Sequence, residues 1–216
     1  MSEPVARSPI EPLPPVLVVD GWEVSGRRVQ AALTLTDCTP LAKLQVRAPI
    51  GGRAAAELAV PFGRAVRDPG GTLVAGSGPG EWLLLAAPGR GPVLAARGGD
   101  LATRCPGELV TATDVTHGRA LVRLTGQRAA GVLAKVCGID TSEPITPDGA
   151  AFRTSVAAVA TDVIRDDTGG VPSYLLHCER SSGAYLFGEL LAAGGEFGIE
   201  IDGFTTEGTE PPTLRT

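Results

Sequence analysis

Two short segments of this chain are built alike: Asp37-Cys38-Thr39-Pro40 and Asp114-Val115-Thr116-His117. Each opens a run of alternating apolar and polar residues. Each run leads through a glycine break into an alanine-rich stretch of helical periodicity, 51–60 after the first and 127–136 after the second. The later parts correspond too, since Glu81-Trp82-Leu83-Leu84-Leu85-Ala86 and Ser173-Tyr174-Leu175-Leu176-His177-Cys178 are both aromatic-led strands preceding a helix. Such internal repetition restricts the chain to two related units, each reading as strand, helix, two strands, helix, sometimes with a closing strand. That order predicts an α+β fold of two tandem ferredoxin-like, or split βαβ, pseudo-repeats, with antiparallel sheets covered by helices on one face. The boundaries follow: an extended N-terminal arm over 1–33, a first α+β repeat over 34–112, a second over 113–204, and a disordered tail over 205–216.

The arm holds Pro4, Pro9, Pro12, Pro14 and Pro15, so it is expected to be mostly irregular with one short β-like patch at Val16-Leu17-Val18-Val19 and Trp22. Its apolar residues either cover the first repeat's sheet or meet another subunit. At 216 residues the chain is long enough to bury a real core. Its net charge of -5, with 17 Arg and two Lys (Lys43 and Lys135), favours neither nucleic acid nor an anionic membrane as a partner. The first fifteen residues are acidic and proline-rich rather than basic and then apolar, and no apolar run approaches the ~18 residues that span a bilayer. A cytoplasmic protein is expected. The absence of Asn and the bias to Ala, Gly and Arg resemble the usage of a GC-rich bacterial genome.

Chemistry-bearing motifs are few. Cys38, Cys105, Cys137 and Cys178 form no CxxC pair, and His177-Cys178 are adjacent in a strand, where their side chains point to opposite faces; no metal site is expected. Gly76-Ser77-Gly78-Pro79-Gly80 has the wrong spacing for a nucleophile elbow and precedes a strand. It also fails the dinucleotide fingerprint, because Glu81 stands at the third glycine's place and no helix follows. Asp114 and His117 are the candidate acid/base pair. Against that role, an Asp or Thr beside a strand accepts backbone N–H bonds in Asx- or ST-turns, and the parallel Asp37-Cys38-Thr39 unit keeps Asp and Thr without His. No catalytic, cofactor-binding or metal-binding residue is therefore assigned. Asp114, Thr116, His117, Trp82 and Trp22 remain as structural-turn or partner-facing candidates.

Several segments, in order, resemble one family. Asp37 to Arg47, Gly78-Pro79-Gly80-Glu81-Trp82-Leu83-Leu84, and Asp114-Val115-Thr116-His117-Gly118-Arg119-Ala120 are similar to motifs of the gamma subunit of heterotetrameric sarcosine oxidase. So are Pro147 to Thr154 and Glu179-Arg180-Ser181-Ser182-Gly183 with the helix closing on Glu196-Phe197-Gly198. Thr116 stands where that family carries serine. The resemblance covers roughly 34–200 and implies the first part of the folate-binding aminomethyltransferase fold. It implies a non-catalytic structural subunit, with alpha, beta and delta subunits as partners and with FAD, FMN, NAD, tetrahydrofolate and zinc held by those partners. The complex oxidises sarcosine to glycine, passes the one-carbon unit to tetrahydrofolate or releases formaldehyde, and produces hydrogen peroxide.

The alternative is an independent folate-binding protein of the same fold. The acidic folate loop of aminomethyltransferases, Asn-x-x-Gly-Gly-x-x-Asp-Asp, has no counterpart here. Arg165-Asp166-Asp167-Thr168-Gly169-Gly170 carries its acids and glycines in reverse order and reads as a solvated hairpin turn. Lys135-Val136-Cys137-Gly138 is the nearest approach to the signature of the iron-sulfur-assembly folate proteins and falls at a helix end.

Overall fold

The computed structural model describes residues 4–206. Its first ordered unit is a hairpin, β1 (Val16–Val19) and β2 (Trp22–Ser25). The hairpin turns on Asp20 and Gly21, both at positive φ, as a two-residue loop of right-handed twist requires. Strand β3 (Leu33–Asp37) follows, then β4 (Ala42–Arg47), helix α1 (Arg53–Leu58), β5 (Ala65–Arg67), β6 (Leu73–Gly78), β7 (Glu81–Ala86), helix α2 (Gly91–Arg104) and β8 (Thr111–Asp114). The second series is β9 (Arg119–Gly126), helix α3 (Ala129–Val136), β10 (Ala151–Val156), β11 (Val159–Arg165), β12 (Ser173–Glu179), helix α4 (Gly183–Gly194) and β13 (Glu200–Asp202).

Two larger sheets form, ordered β5-β6-β7-β4-β8 and β10-β11-β12-β9-β3-β13. Strands β4 and β9 occupy equivalent positions, so the repetition read from the sequence is present in space. Three strands, not two, lie between the helices of each repeat. The central pairs β4–β7 and β9–β12 are consequently antiparallel, one strand away from the simplest split βαβ order.

Alternation along the strands sorts side chains into three cores. Trp82 and Leu84 of β7 join Leu58, Leu94 and Leu101 beneath α1 and α2. Tyr174, Leu176 and Cys178 of β12 join Leu133, Leu186 and Leu190 beneath α3 and α4. Between the two sheets, Leu83 and Leu85 meet Leu121, Ile164 and Leu175. The layers therefore run helix, sheet, sheet, helix.

The 34–112 and 113–204 division does not follow these layers. Strand β3 precedes β4 in the chain but pairs with β9 in the other sheet, Leu33 opposite Gly126 through Asp37 opposite Val122. Strand β8 precedes β9 but pairs with β4, Leu44 opposite Asp114. Each repeat has lent its opening strand to its partner's sheet. The Asp-x-Thr segments end strands and cross between sheets rather than opening strands, because the Asx turn they form reverses the chain out of the sheet plane.

The arm is docked rather than free. Trp22 and Val24 are buried between the sheets with Phe204, and Ile10 lies in the core beneath α4. Residues Gly203 and Phe204 donate backbone N–H bonds to Arg27 and Ser25. Val16, Leu17 and Val18 face outward and are exposed. Of the tail 205–216, Thr205 and Thr206 are described and 207–216 lie outside the described residues.

Adjacent glycines in α2 test the packing. A Cβ on Gly98 would stand 2.4 Å from Ala112 Cβ and 3.2 Å from Leu44 Cδ2, whereas one on Gly99 would meet nothing within 4 Å. Gly98→Ala is expected to destabilise the protein by about 1–3 kcal/mol through overpacking, and Gly99→Ala to stabilise it by about 0.5–1 kcal/mol through helix propensity. Urea denaturation of the two variants checks the opposite signs.

Candidate functional site

The two crossovers meet between the sheets and lock each other. Asp37 Oδ1 accepts the Thr39 N–H at 2.9 Å, and Asp114 Oδ1 accepts the Thr116 N–H at 2.8 Å, an Asx turn in each case. Thr39 Oγ1 in turn accepts the Leu121 N–H at 3.2 Å, while Thr116 Oγ1 accepts the Lys43 N–H at 2.9 Å. The backbone repeats this exchange: Cys38 N–H donates to Leu121 O at 2.8 Å, and Val115 N–H to Lys43 O at 3.0 Å. Each crossover thus holds the first strand residues of the other repeat.

Lys43 sits at the centre and is 1% exposed. Its Nζ donates to Thr39 O at 2.6 Å, Leu41 O at 2.9 Å and Thr116 O at 3.3 Å, three acceptors for the three donors of an ammonium. Burial pushes this group down to about 7, against the opposing pull of Asp37 and Asp114.

A second polar group lies in the same layer. Asp162 Oδ2 is 3.1 Å from His177 Nδ1, and Asp162 Oδ1 accepts Arg153 Nε–H at 2.6 Å. Arg153 continues to Glu81 at 3.1 Å, and Glu81 to Arg47 at 3.1 Å, so a chain of charges runs from the surface to His177. Burial raises the Asp162 carboxyl, but the hydrogen bonds from His177 and Arg153 outweigh it and hold it below its ordinary value. An ionised Asp162 can only accept, so Nδ1 carries the proton of a neutral imidazole. Burial lowers His177, against the pull of Asp162, and its Nε2 is buried with no hydrogen-bond partner among the described residues.

Of the residues singled out in the sequence, Asp114, Thr116, His117 and Trp22 come together at the second crossover. His117 is exposed, with its ring stacked on Trp22 at 4.8 Å and 8°. Among the described residues no hydrogen bond joins Asp114 to His117; Asp114 is engaged by the Thr116 amide instead. Trp82 lies apart, on the outer face of the first sheet, its Nε1–H donating to Val60 O at 2.7 Å. The Arg165–Gly170 segment is a hairpin turn exposed at Thr168, Gly169 and Gly170, and its base is tied down. Asp166 ties the two sheets together through Arg67 at 2.8 Å and Arg123 at 2.7 Å, and Arg165 is clamped by Asp167 and Glu143.

Lys43 and the Asp162–His177 pair were not singled out in the sequence. Lys43 was legible as one of two lysines, set between apolar neighbours in a strand; Asp162 carried no such signal. All four cysteines are free and buried, and no group of three or more His, Cys, Asp or Glu side chains gathers as a metal site among the described residues. No helix among them is long and apolar enough to cross a membrane.

No protein-family model and no curated protein matches the chain. Among solved structures it is similar to a chain of the heterotetrameric sarcosine oxidase from Corynebacterium sp. U-96, in complex with pyrrole 2-carboxylate. That match has a TM-score of 0.66 and 26% identity over 79% of this chain and 88% of that one. It is also similar to the glycine cleavage system aminomethyltransferase T from Bartonella henselae, with a TM-score of 0.65 and 16% identity over 87% of this chain and 55% of that one. The chain has the folate-binding aminomethyltransferase fold and resembles a sarcosine oxidase chain in both sequence motifs and structure.

Lys43 gives the lock a pH signature. Its ordinary value is 10.5 and its folded value about 7, so between these limits the unfolded chain binds the extra proton and stability rises with pH. The slope is expected to reach up to about 1.4 kcal/mol per pH unit. Lys43→Met is expected to lose that slope and, by stranding three carbonyls, to cost about 1–3 kcal/mol at pH 7. Denaturant titrations of both proteins from pH 7 to 10 decide it; parallel curves would show that the folded ammonium is not perturbed.

Proposed function

We propose that this chain is the non-catalytic gamma subunit of a heterotetrameric sarcosine oxidase, assembled with alpha, beta and delta subunits in the bacterial cytoplasm. The observation that carries the reading is the mutual coverage of the sarcosine oxidase match, 79% of this chain against 88% of that one at 26% identity. Two chains that cover each other so fully are of similar size. Aminomethyltransferase T, by contrast, extends well beyond the part that matches. In the proposed complex the partner subunits hold FAD, FMN, NAD, tetrahydrofolate and zinc. They carry out the oxidation of sarcosine to glycine, the one-carbon transfer or formaldehyde release, and the formation of hydrogen peroxide.

The chain's own polar groups support a structural role. Asp37, Thr39, Asp114 and Thr116 are engaged in backbone hydrogen bonds, and Lys43 and His177 are closed off between the sheets. What the chain offers outward includes the apolar face of β1, with Val16 48%, Leu17 47% and Val18 61% exposed.

Co-expression with the flavoprotein subunits is expected to give a soluble complex containing this chain. Replacing Val16, Leu17 and Val18 by Ser is expected to reduce its recovery several-fold while moving the isolated chain's stability by only about 0.5 kcal/mol. Unchanged recovery would remove the hairpin from the interface, and failure of the intact chain to co-purify would sink the assignment. The chain purified alone is expected to be colourless, to make no peroxide from sarcosine and to give no heat with tetrahydrofolate. A stoichiometric flavin would overturn the scaffold reading, and saturable folate binding would favour the independent folate-binding protein instead.

A further inference from the structure

We propose that the groove beside Trp82 seats an irregular loop of a partner subunit, one that turns small, uncharged side chains inward. The inference rests on the assembly proposed above and names what a neighbouring subunit lays on this chain. Its ground is the internal repetition: the same place in the second repeat is filled, and the chain shows what fills it. Helices α1 and α3 are each followed by a connection and a two-strand hairpin, β5–β6 and β10–β11. Strands β5-β6-β7-β4 and β10-β11-β12-β9 then stand in the same order in their sheets. Register makes individual positions equivalent, since Trp82 pairs with Val46, three residues after Lys43, and Tyr174 with Leu124, three residues after Leu121. Trp82 and Tyr174 are therefore one site in two copies.

In the second copy the site is closed. Connection 137–150 lies over Tyr174, whose hydroxyl donates to Thr141 O at 3.3 Å, and Thr141 Oγ1 donates to Ala130 O of α3 at 3.1 Å. Cys137, Thr141, Thr146 and Ala150 are the buried members of the connection, while Asp140, Glu143 and Asp148 stay exposed. Small side chains are thus taken inward and charges left in water, and Tyr174 is 1% exposed.

In the first copy the site is open. Here the connection is 59–64, and beside Trp82 it leaves a groove of about 500 Å³. Ile50 and Phe62 stand 76% and 60% exposed along it. No Asp, Glu, Lys or Arg lines the groove, so a charged occupant would lose its hydration without gaining a partner. The volume falls within the roughly 300–1,000 Å³ of small-molecule sites, but such sites rely on a few placed polar groups to orient a ligand. The side chains here have none to offer: Trp82 supplies the sole polar one of the lining, and its Nε1–H is given to Val60 O. A polypeptide segment, which fills the equivalent site by packing small side chains, is the occupant that these walls fit. An exposed aromatic at the rim suits this use, because aromatic residues are enriched in the contacts between subunits.

The test uses the complex co-expressed from this chain and its partner subunits. Phe62→p-benzoylphenylalanine places a photoreactive group at the rim of the groove. Irradiation is expected to join it to a loop of a partner subunit, identified by mass spectrometry of the crosslinked peptide. Ile50→Glu combined with Phe62→Glu is expected to weaken assembly at least about tenfold, read as the subunit concentration that gives half-maximal complex. The denaturation midpoint of the isolated chain is expected to stay unchanged in that double variant. A complex that forms normally but gives only crosslinks within this chain, or a double variant that assembles as tightly as the parent, overturns the groove's role and leaves the assembly standing. A small apolar molecule released on denaturing the isolated parent, with assembly of the double variant unchanged, gives the groove to a ligand instead. If the intact chain does not assemble, the reading on which the inference rests fails, and the inference falls with it.

Discussion

The structure depends on a lysine that two chain crossings share. Strands β3 and β8 each end on an aspartate and pass to the opposite sheet, and both crossings leave carbonyls pointing into one dry space. Lys43 answers three of them at once, from Thr39, Leu41 and Thr116. In the second repeat the position that plays the part of Lys43 is Leu121, since each of the two gives its N–H to the threonine of the opposite crossing. One ammonium and one isobutyl group thus fill two pseudo-equivalent sites, and the repeats cannot be exchanged. A buried polar group gives register at a cost in desolvation, and here it fixes which strand crosses where.

Around that lock the inter-sheet layer is neither apolar nor ionic throughout. Leu83, Leu85, Leu121, Ile164 and Leu175 supply its hydrophobic part. Two ionic ties, Glu81–Arg153 and Arg67–Asp166–Arg123, join the sheets elsewhere. The ties are directional where hydrophobic contact is not, so they set how one sheet sits on the other. His177, pinned by Asp162 and buried, belongs to the same scheme as an oriented neutral ring.

Much of this was legible because period and punctuation survive in sequence. Glu81 to Ala86 and Ser173 to Cys178 read as aromatic-led strands that precede a helix, as β7 and β12 do, and the stretches 51–60 and 127–136 contain α1 and α3. The Asp-x-Thr pairs marked the right places, with the sense of the turn reversed. Local chemistry gives an Asx turn but does not say whether the strand lies before it or after it in the same sheet. Strand exchange is a long-range choice and leaves no local trace. Lys43 was missed because its local acceptors, Thr39 and Leu41, turn towards it only in the folded crossover and its third, Thr116, comes from 73 residues away; Asp162 was missed because Arg153 and His177 reach it from the two neighbouring strands.

The two repeats also show how coverage is decided outside the strands. Trp82 and Tyr174 hold equivalent places, three residues before Leu85 and His177, which face Lys43 and Leu121 across their sheets. Tyr174 is covered by the long connection 137–150, whose Thr141 carbonyl accepts its hydroxyl at 3.3 Å. Trp82 has only the short connection 59–64, whose Val60 carbonyl accepts its indole N–H. The shorter chain cannot reach across the helix layer. It leaves an apolar groove of about 500 Å³ beside Trp82, with Ile50 and Phe62 exposed along it. The same strand pattern therefore ends in a closed face in one repeat and an open one in the other, and the length of one loop makes the difference.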